Sequence, residues 1–257
     1  MAKYTIEDGG TLCEGAAPQS VEPALYLMPS TMADGRPSDV LPQRNIDLCR
    51  HIRHYVVENV RTARRFLKRV DPAIDINALT FVTLNEHTRP DELPAMLAPL
   101  EAGEAVAVVS EAGCPAIADP GADLVAAASR RGFKVVPLVG PSSIILSLMA
   151  SGFNGQSFAF VGYLPVESDQ RNSRLREMLR RIERERQTQI FIETPYRNNR
   201  LVAELAAALP GHMLLCVASD LTGPTEKVVT QPLSEWAKAL KRGEQLAKVP
   251  SIFLLFS

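Results

Sequence analysis

The sequence predicts an α/β protein made of two α/β domains, the first on a mainly parallel sheet and the second on a mixed one. Short runs rich in Val, Ile, Leu and aromatic residues alternate along the 257-residue chain with stretches whose apolar residues recur at helical spacing. Two of these runs, residues 105–110 and 134–138, lead straight into loops of Gly, Pro and small polar residues. Such loops meet at the carboxyl ends of neighbouring strands, where open α/β sheets bind their ligands. The stretch Ser151-Gly152-Phe153-Asn154-Gly155-Gln156 interrupts the pattern and divides residues 21–152 from 153–257.

Residues 1–20 have neither an apolar core nor a cleavage-site pattern and read as a flexible tail rather than a leader. A first strand over 24–28 is stopped by Pro29, and a long turn-rich loop follows over 30–42. A helix over about 45–54 leads into a strand over 55–58. Ala63, Phe66, Leu67 and Val70 then mark a second helix. A strand over 79–84 ends at Asn85-Glu86-His87. Leu93, Met96, Leu97 and Leu100 predict one amphipathic helix closed by Gly103. Next come strand 105–110 with its loop, a helix over about 122–131 stopped by Gly132, strand 134–138 with its loop, and an apolar helix over 144–149 that completes the first half.

The second half opens on a strand over 158–164 and an Arg-rich helix whose buried stripe is Leu175, Met178, Leu179 and Ile182. It continues with strand 189–193, a helix carrying Leu201, Val202, Leu205 and Leu209, and strand 213–219. Strand 226–230 follows after a short turn, which implies a hairpin and therefore a mixed sheet. A helix holding Trp236 and a last strand over 251–256 finish the chain.

Composition excludes more than it selects. A formal net charge of -1 gives no global pull toward nucleic acid or anionic membrane. The charge is uneven: residues 44–69 hold eight Arg/Lys against two acids, and 171–186 hold seven Arg against three Glu. Each run is either a solvated helix face or an RNA-facing surface. Cys13, Cys49, Cys114 and Cys216 form no metal or redox spacing, so no metal is expected, and reduced thiols fit a cytoplasmic protein. No stretch is long and apolar enough to span a membrane. No G-x-G-x-x-G follows a strand and no G-x-x-x-x-G-K-[ST] occurs. With Glu111 and Asp119, the first Gly/Pro loop suits a ligand bearing positive charge or many hydroxyls better than a bare phosphate.

Five blocks complete the reading: VVSEAGCPAIADPGADLV (108–125), VVPLVGPSS (135–143), FAFVGYLP (158–165), FIETPYR (191–197) and ASDLTGPTE (218–226). In order and spacing they resemble the tetrapyrrole methylase superfamily. Within it, they are most similar to the ribosomal small-subunit methyltransferase I group, which methylates a cytidine ribose 2′-hydroxyl in rRNA. The resemblance implies a cofactor cleft between the two domains, S-adenosylmethionine as cofactor, and a homodimer. Residue by residue it assigns Ser110, Glu111, Ala112, Gly113 and Ile117 to the first cofactor loop, Pro141, Ser142 and Ser143 to the second, and Pro29 to the end of the first strand. In the second domain it assigns Ile192, Glu193, Thr194, Ser219, Asp220 and Leu221 to the adenosine side.

The acceptor side departs from the family pattern. The loop 30–42 replaces a shorter Thr-Pro-Ile-Gly-Asn-Leu-type loop, and Glu58-Asn59-Val60-Arg61 stands where the family has Glu-Asp-Thr-Arg. Glu58, Glu86 and His87 end strands on the expected ligand side and are the candidate bases. Arg61, Arg64 and Arg65 are candidates to receive RNA phosphates or the carboxylates of a small acidic substrate. The expected activity is S-adenosylmethionine-dependent methyl transfer to an rRNA ribose 2′-hydroxyl. The alternatives are methylation of a tetrapyrrole or other small molecule, and a cofactor-binding regulatory protein without turnover.

Overall fold

The computed structural model describes residues 21–257, so the predicted tail over 1–20 lies outside the described residues. The first sheet contains β1 (Leu25–Leu27), β2 (His54–Val57), β3 (Thr80–Thr83), β4 (Val106–Val109) and β5 (Val135–Pro137), in the order β3-β2-β4-β1-β5. Every pairing in it is parallel. Its crossovers run through α1 (Gln43–His51), α2 (Val60–Val70), α3 (Leu93–Met96), α4 (Ala98–Glu101) and α5 (Gly121–Arg130). Both faces are covered over the central strands β1, β2 and β4, which is why these read as nearly continuous apolar runs, whereas the edge strand β3 is largely exposed. Tyr26, Tyr55, Val57, Ala107 and Val109 pack toward α1 and α2, while Leu25, Val56, Val106 and Val108 pack toward α3, α4 and α5.

The single helix predicted around residues 93–100 is broken into α3 and α4. Pro99 has no N–H for the Ala95 carbonyl, and its ring crowds that carbonyl, so the helix cannot run through. Leu93, Met96, Leu97 and Leu100 are nevertheless all buried, because the two short turns present the same stripe.

The second sheet contains β6 (Phe158–Tyr163), β7 (Thr188–Glu193), β8 (Leu214–Ser219), β9 (Lys227–Pro232) and β10 (Ser251–Phe256), in the order β6-β7-β10-β8-β9. Only β6 and β7 pair in parallel, so the sheet is mixed as expected, with β8 and β9 forming the predicted hairpin. One face is covered by α7 (Ser168–Glu185), α8 (Asn198–Ala208) and α9 (Leu233–Lys241). The other is covered by α6 (Ser143–Ser151), whose Leu148 packs with Ile190, Cys216, Ala218, Ile252 and Leu254. The apolar helix expected to complete the first half thus belongs to the core of the second sheet. The chain crosses between the layers at residues 138–142, the second Gly/Pro loop itself.

Part of the Arg-rich run is structural. Arg171 is buried at the start of α7, donates to the carbonyls of Pro165 and Val166, and pairs with Glu204 at 3.1 Å. Arg174 and Arg181 share the carboxylate of Glu177.

Candidate functional site

Three loops meet at the carboxyl ends of β1, β4 and β5 and are joined to one another. The Ser30 N–H donates to the Gly113 carbonyl at 2.9 Å, and its hydroxyl donates to the Ser110 carbonyl at 3.1 Å. Gly113 has φ +75°, and a Cβ there would stand 3.1 Å from the Pro141 carbonyl oxygen, so the position requires glycine. Within the β4 loop, Asp119 accepts from the Ala116 N–H at 2.9 Å and from the Gly121 N–H at 2.7 Å. These bonds hold Ala116 and Ala118 in the left-handed region, at φ 65° and 61°. Non-glycine residues persist there only when their surroundings over-determine them.

Across from this loop lies the second domain, and a cavity of ≈ 440 Å³ opens between them. The first domain contributes Met32, Glu58, Ser110, Glu111, Ala112, Ile117, Ala118 and Asp119, with Ser143 from the start of α6. The second contributes Tyr163, Ile192, Glu193, Thr194, Pro195, Ala218, Asp220, Leu221, Pro250, Ser251 and Ile252. The volume lies within the range of cofactor pockets. Five of the lining residues are carboxylates, and none is Lys, Arg or His. Burial pushes the carboxyls of Glu58 and Asp119 above their ordinary range. Repulsion from Asp119 and Glu111 adds to the rise at Glu58, and the Glu111 N–H it accepts at 3.1 Å opposes it. Glu193 is buried, pairs with Arg197 at 3.3 Å and accepts the Thr194 N–H at 2.8 Å. Asp220 turns its carboxylate back on its own loop, accepting the Thr225 N–H at 2.9 Å. Such a lining favours a ligand with a net positive charge, and S-adenosylmethionine, with a sulfonium and an ammonium against one carboxylate, is such a ligand.

The predicted cofactor residues divide into two groups. Ser110, Glu111, Ala112, Ile117, Ser143, Ile192, Glu193, Thr194, Asp220 and Leu221 line the cavity. Pro29, Gly113, Pro141, Ser142 and Ser219 stand behind it. Pro29 abuts Gly140, Ser142 caps α6 by accepting the Ile145 N–H, and the Ser219 hydroxyl meets that of Ser251 at 2.8 Å in a buried network with Asn198. Sequence reasoning missed residues 250–252. Ser251 pairs with Glu193 on one side and Ser219 on the other, so the amino end of antiparallel β10 enters the wall between two carboxyl ends. Nothing local signals this.

A second cleft of ≈ 740 Å³ adjoins the cavity and shares Met32, Ser110, Glu111, Asp220 and Pro250 with it. It is walled by residues 30–34 and by Thr62, Arg65, Lys68 and Arg69 of α2. Glu111 stands between the two spaces and accepts the Thr62 hydroxyl. Arg69 ties the long first loop to α2 through Thr31 and Asp34. Of the predicted substrate residues only Arg65 lines this cleft. Arg64 lies over the Phe81 ring at 5.3 Å, and Arg61 is exposed on the first turn of α2. Lys68 and Arg69 were missed, although their helical spacing from Arg65 was legible.

Of the candidate bases, Glu58 is in the cavity. Glu86 and His87 are not: β3 is the edge strand, so the loop after it lies at the rim of the sheet, with the two side chains 85% and 83% exposed. Asn59 is the N-cap of α2, accepting from the Arg61 and Thr62 N–H groups. Asn and Asp serve equally well there, so this departure leaves the capping chemistry unchanged. Among the described residues no group of three or more His, Cys, Asp or Glu is placed to hold a metal ion, and no helix is long and apolar enough to cross a membrane.

A parallel sheet ordered 3-2-4-1-5, a mixed sheet beside it and a cavity between their loops define a class of two-domain enzymes. The chain belongs to the tetrapyrrole (corrin/porphyrin) methylase family, whose sequence profile matches residues 49–237. It is 33% identical over 230 residues to ribosomal RNA small subunit methyltransferase I of Vibrio cholerae, covering 90% of this chain and 74% of the relative. It is 34% identical over 218 residues to the protein of that name from Mesorhizobium japonicum, covering 83% and 68%. Among solved structures, uroporphyrin-III C-methyl transferase from Thermus thermophilus, complexed with S-adenosyl homocysteine, superposes with a TM-score of 0.56 at 17% identity, covering 91% of this chain and 97% of that one. A diphthine synthase superposes with a TM-score of 0.60 at 15% identity, covering 90% and 89%. The protein is an S-adenosylmethionine-dependent methyltransferase.

Asp119 is expected to act on cofactor affinity through the loop it folds. Asp119→Ala leaves the Ala116 and Gly121 N–H groups without their partner, at about 1–3 kcal/mol. Isothermal titration should then show S-adenosylmethionine binding weakened by about 5- to 150-fold. Asp119→Asn keeps one acceptor oxygen and should lose less. Equal affinity in all three proteins would mean that the loop is held by other contacts.

Proposed function

We propose that this protein methylates a ribose 2′-hydroxyl of small-subunit ribosomal RNA. The observation that carries the reading is the cationic face that α2 presents along one edge of a cleft continuous with the acidic cavity. The α2 helix holds Arg61, Arg64, Arg65, Lys68 and Arg69 and no acid, and three of these cations line the cleft. A phosphate backbone fits that edge and is repelled by the carboxylates of the cavity, so a strand is held at the rim while a ribose enters. The names of the relatives, ribosomal RNA small subunit methyltransferase I, agree with small-subunit rRNA as the substrate.

S-adenosylmethionine, when bound, supplies an electrophilic methyl on a neutral-leaving sulfur. The chain has to align the acceptor and take its proton. Glu58, at the cavity wall, would take the proton of the acceptor hydroxyl as it is methylated. Glu111, fixed by Thr62 and facing both spaces, orders the passage between them. The same reading has the protein acting as a homodimer in the cytoplasm, for which light scattering should give twice the chain mass.

The deciding experiment supplies radiolabelled cofactor with small ribosomal subunits from a strain lacking the gene, with deproteinised rRNA, and with an organic extract. Label in rRNA, mapped to a 2′-O-methyl nucleoside, is the expected result. Label only in the extract would replace RNA with a small-molecule acceptor. Arg65→Glu and Lys68→Glu should each weaken RNA binding and lower the slope of log K against log salt by about 0.7–0.9 per lost phosphate contact. Arg64→Glu serves as the control, since its guanidinium lies on Phe81 rather than in the cleft.

A further inference from the structure

The rim of the donor cavity opposite α2 carries aromatic side chains that the fold does not use. Of the four tyrosines among the described residues, Tyr26 and Tyr55 are buried, and their hydroxyls donate to the carbonyls of Glu22 and Cys49. Tyr163 and Tyr196 are 63% and 84% exposed. They share one edge: Tyr163 ends β6 in register with Ile192 of β7, and Tyr196 lies in the turn that follows β7. Tyr163 lines the cavity itself, as does Pro195 beside Tyr196.

We propose that Tyr163 and Tyr196 form a stacking platform for unpaired nucleobases flanking the ribose that is methylated. The inference rests on the RNA reading above and adds a second contact surface to it. Charge complementarity fixes the direction of the strand. The cations of α2 lie on one side of the cavity mouth and the carboxylates lie inside it, so the phosphates follow α2. The bases are left pointing toward the far rim. An uncharged aromatic face there holds a base without adding a cation beyond Arg197, whose charge is already paired with Glu193. Stacking needs the base splayed out of a helix, so the platform selects a loop or single-stranded acceptor over a duplex.

Tyr196→Ala and Tyr163→Ala, made separately and compared with the Phe variants, test this with small ribosomal subunits as substrate. Each Ala variant should raise KM for subunits by about 5- to 150-fold, the range of a lost base stack. The salt slope of RNA binding should be unchanged. Each Phe variant should stay within about twofold of the parent, because the ring and not the hydroxyl makes the contact. The affinity of the Tyr196 variants for S-adenosylmethionine should also be unchanged. An unaltered KM in both Ala variants would overturn the platform, as would Phe variants as impaired as Ala. A change from dimer to monomer in Tyr196→Ala, seen by light scattering, would assign the rim to a second copy of the chain and overturn it too. Failure of the parent protein to label rRNA at all would end the RNA reading itself, which separates the two failures.

Discussion

Glu58→Gln is expected to lower kcat by about 10²- to 10⁴-fold, the usual contribution of a positioned general base. S-adenosylmethionine affinity should change little, because a glutamine oxygen still accepts the Glu111 N–H that fixes the loop. The pH dependence gives the sharper reading. A base works only when deprotonated, and burial beside Asp119 and Glu111 raises this carboxyl. The rate of the parent protein should therefore fall as pH drops through a value higher than that of an ordinary glutamate. In Glu58→Gln that acid limb should be absent, leaving a low, flat profile. Glu58→Asp should keep the limb at reduced rate. A glutamine variant of normal kcat would show that alignment alone drives the transfer.

Gly140→Ala is the change expected to damage the site most through the backbone. A Cβ at residue 140 would stand 2.3 Å from Cβ and 2.5 Å from Cγ of Pro29, and a proline ring cannot rotate aside. The ends of β1 and β5 must separate, and with them the loop 139–143 that leads into α6. Overpacking of this kind costs about 1–3 kcal/mol. At about 2–4 °C per kcal/mol for a chain of this size, Tm should fall by about 2–12 °C. Cofactor affinity should fall with it, since the loop after β5 backs the loop after β4 through Gly113 and Pro141. Pro29→Gly in the same chain removes the obstructing ring and should restore much of both losses. A Gly140→Ala protein with unchanged Tm would show that the two strand ends do not approach so closely.

What could be read locally and what could not divides along physical lines. Strand β4 was legible because a strand buried on both faces must be apolar throughout, and the half-buried edge strand β5 was legible from its Val-Val run and the Gly140-Pro141 loop that ends it. The break between α3 and α4 is signalled by Pro99, but the strong stripe of Leu93, Met96, Leu97 and Leu100 masks it. The stripe reported burial correctly and continuity wrongly. Helix α6 was misassigned because Ser143–Ser151 is apolar on most of its surface and would fit either sheet. Only the position of β8, β9 and β10 decides which one it covers. Glu86 and His87 were candidates because they end a strand, but whether that strand is central or at an edge depends on pairing between distant segments.

The sequence by itself determined the two-domain α/β class, the carboxyl-end loops, the loop that carries Ser110, Glu111, Ala112 and Ile117, and a cationic α2. These follow from local periodicity, turn chemistry and block order, which are properties of neighbouring residues. Tertiary structure alone decided that Glu58 rather than Glu86 or His87 faces the cavity and that Arg65 rather than Arg64 faces the cleft. It alone placed Pro250 and Ser251 in the wall and left Tyr163, which lines the cavity, and Tyr196, next to the lining Pro195, exposed. Each of these depends on which strands become neighbours and which helix face turns inward. Those choices are made by burial of the whole chain, and no single segment encodes them.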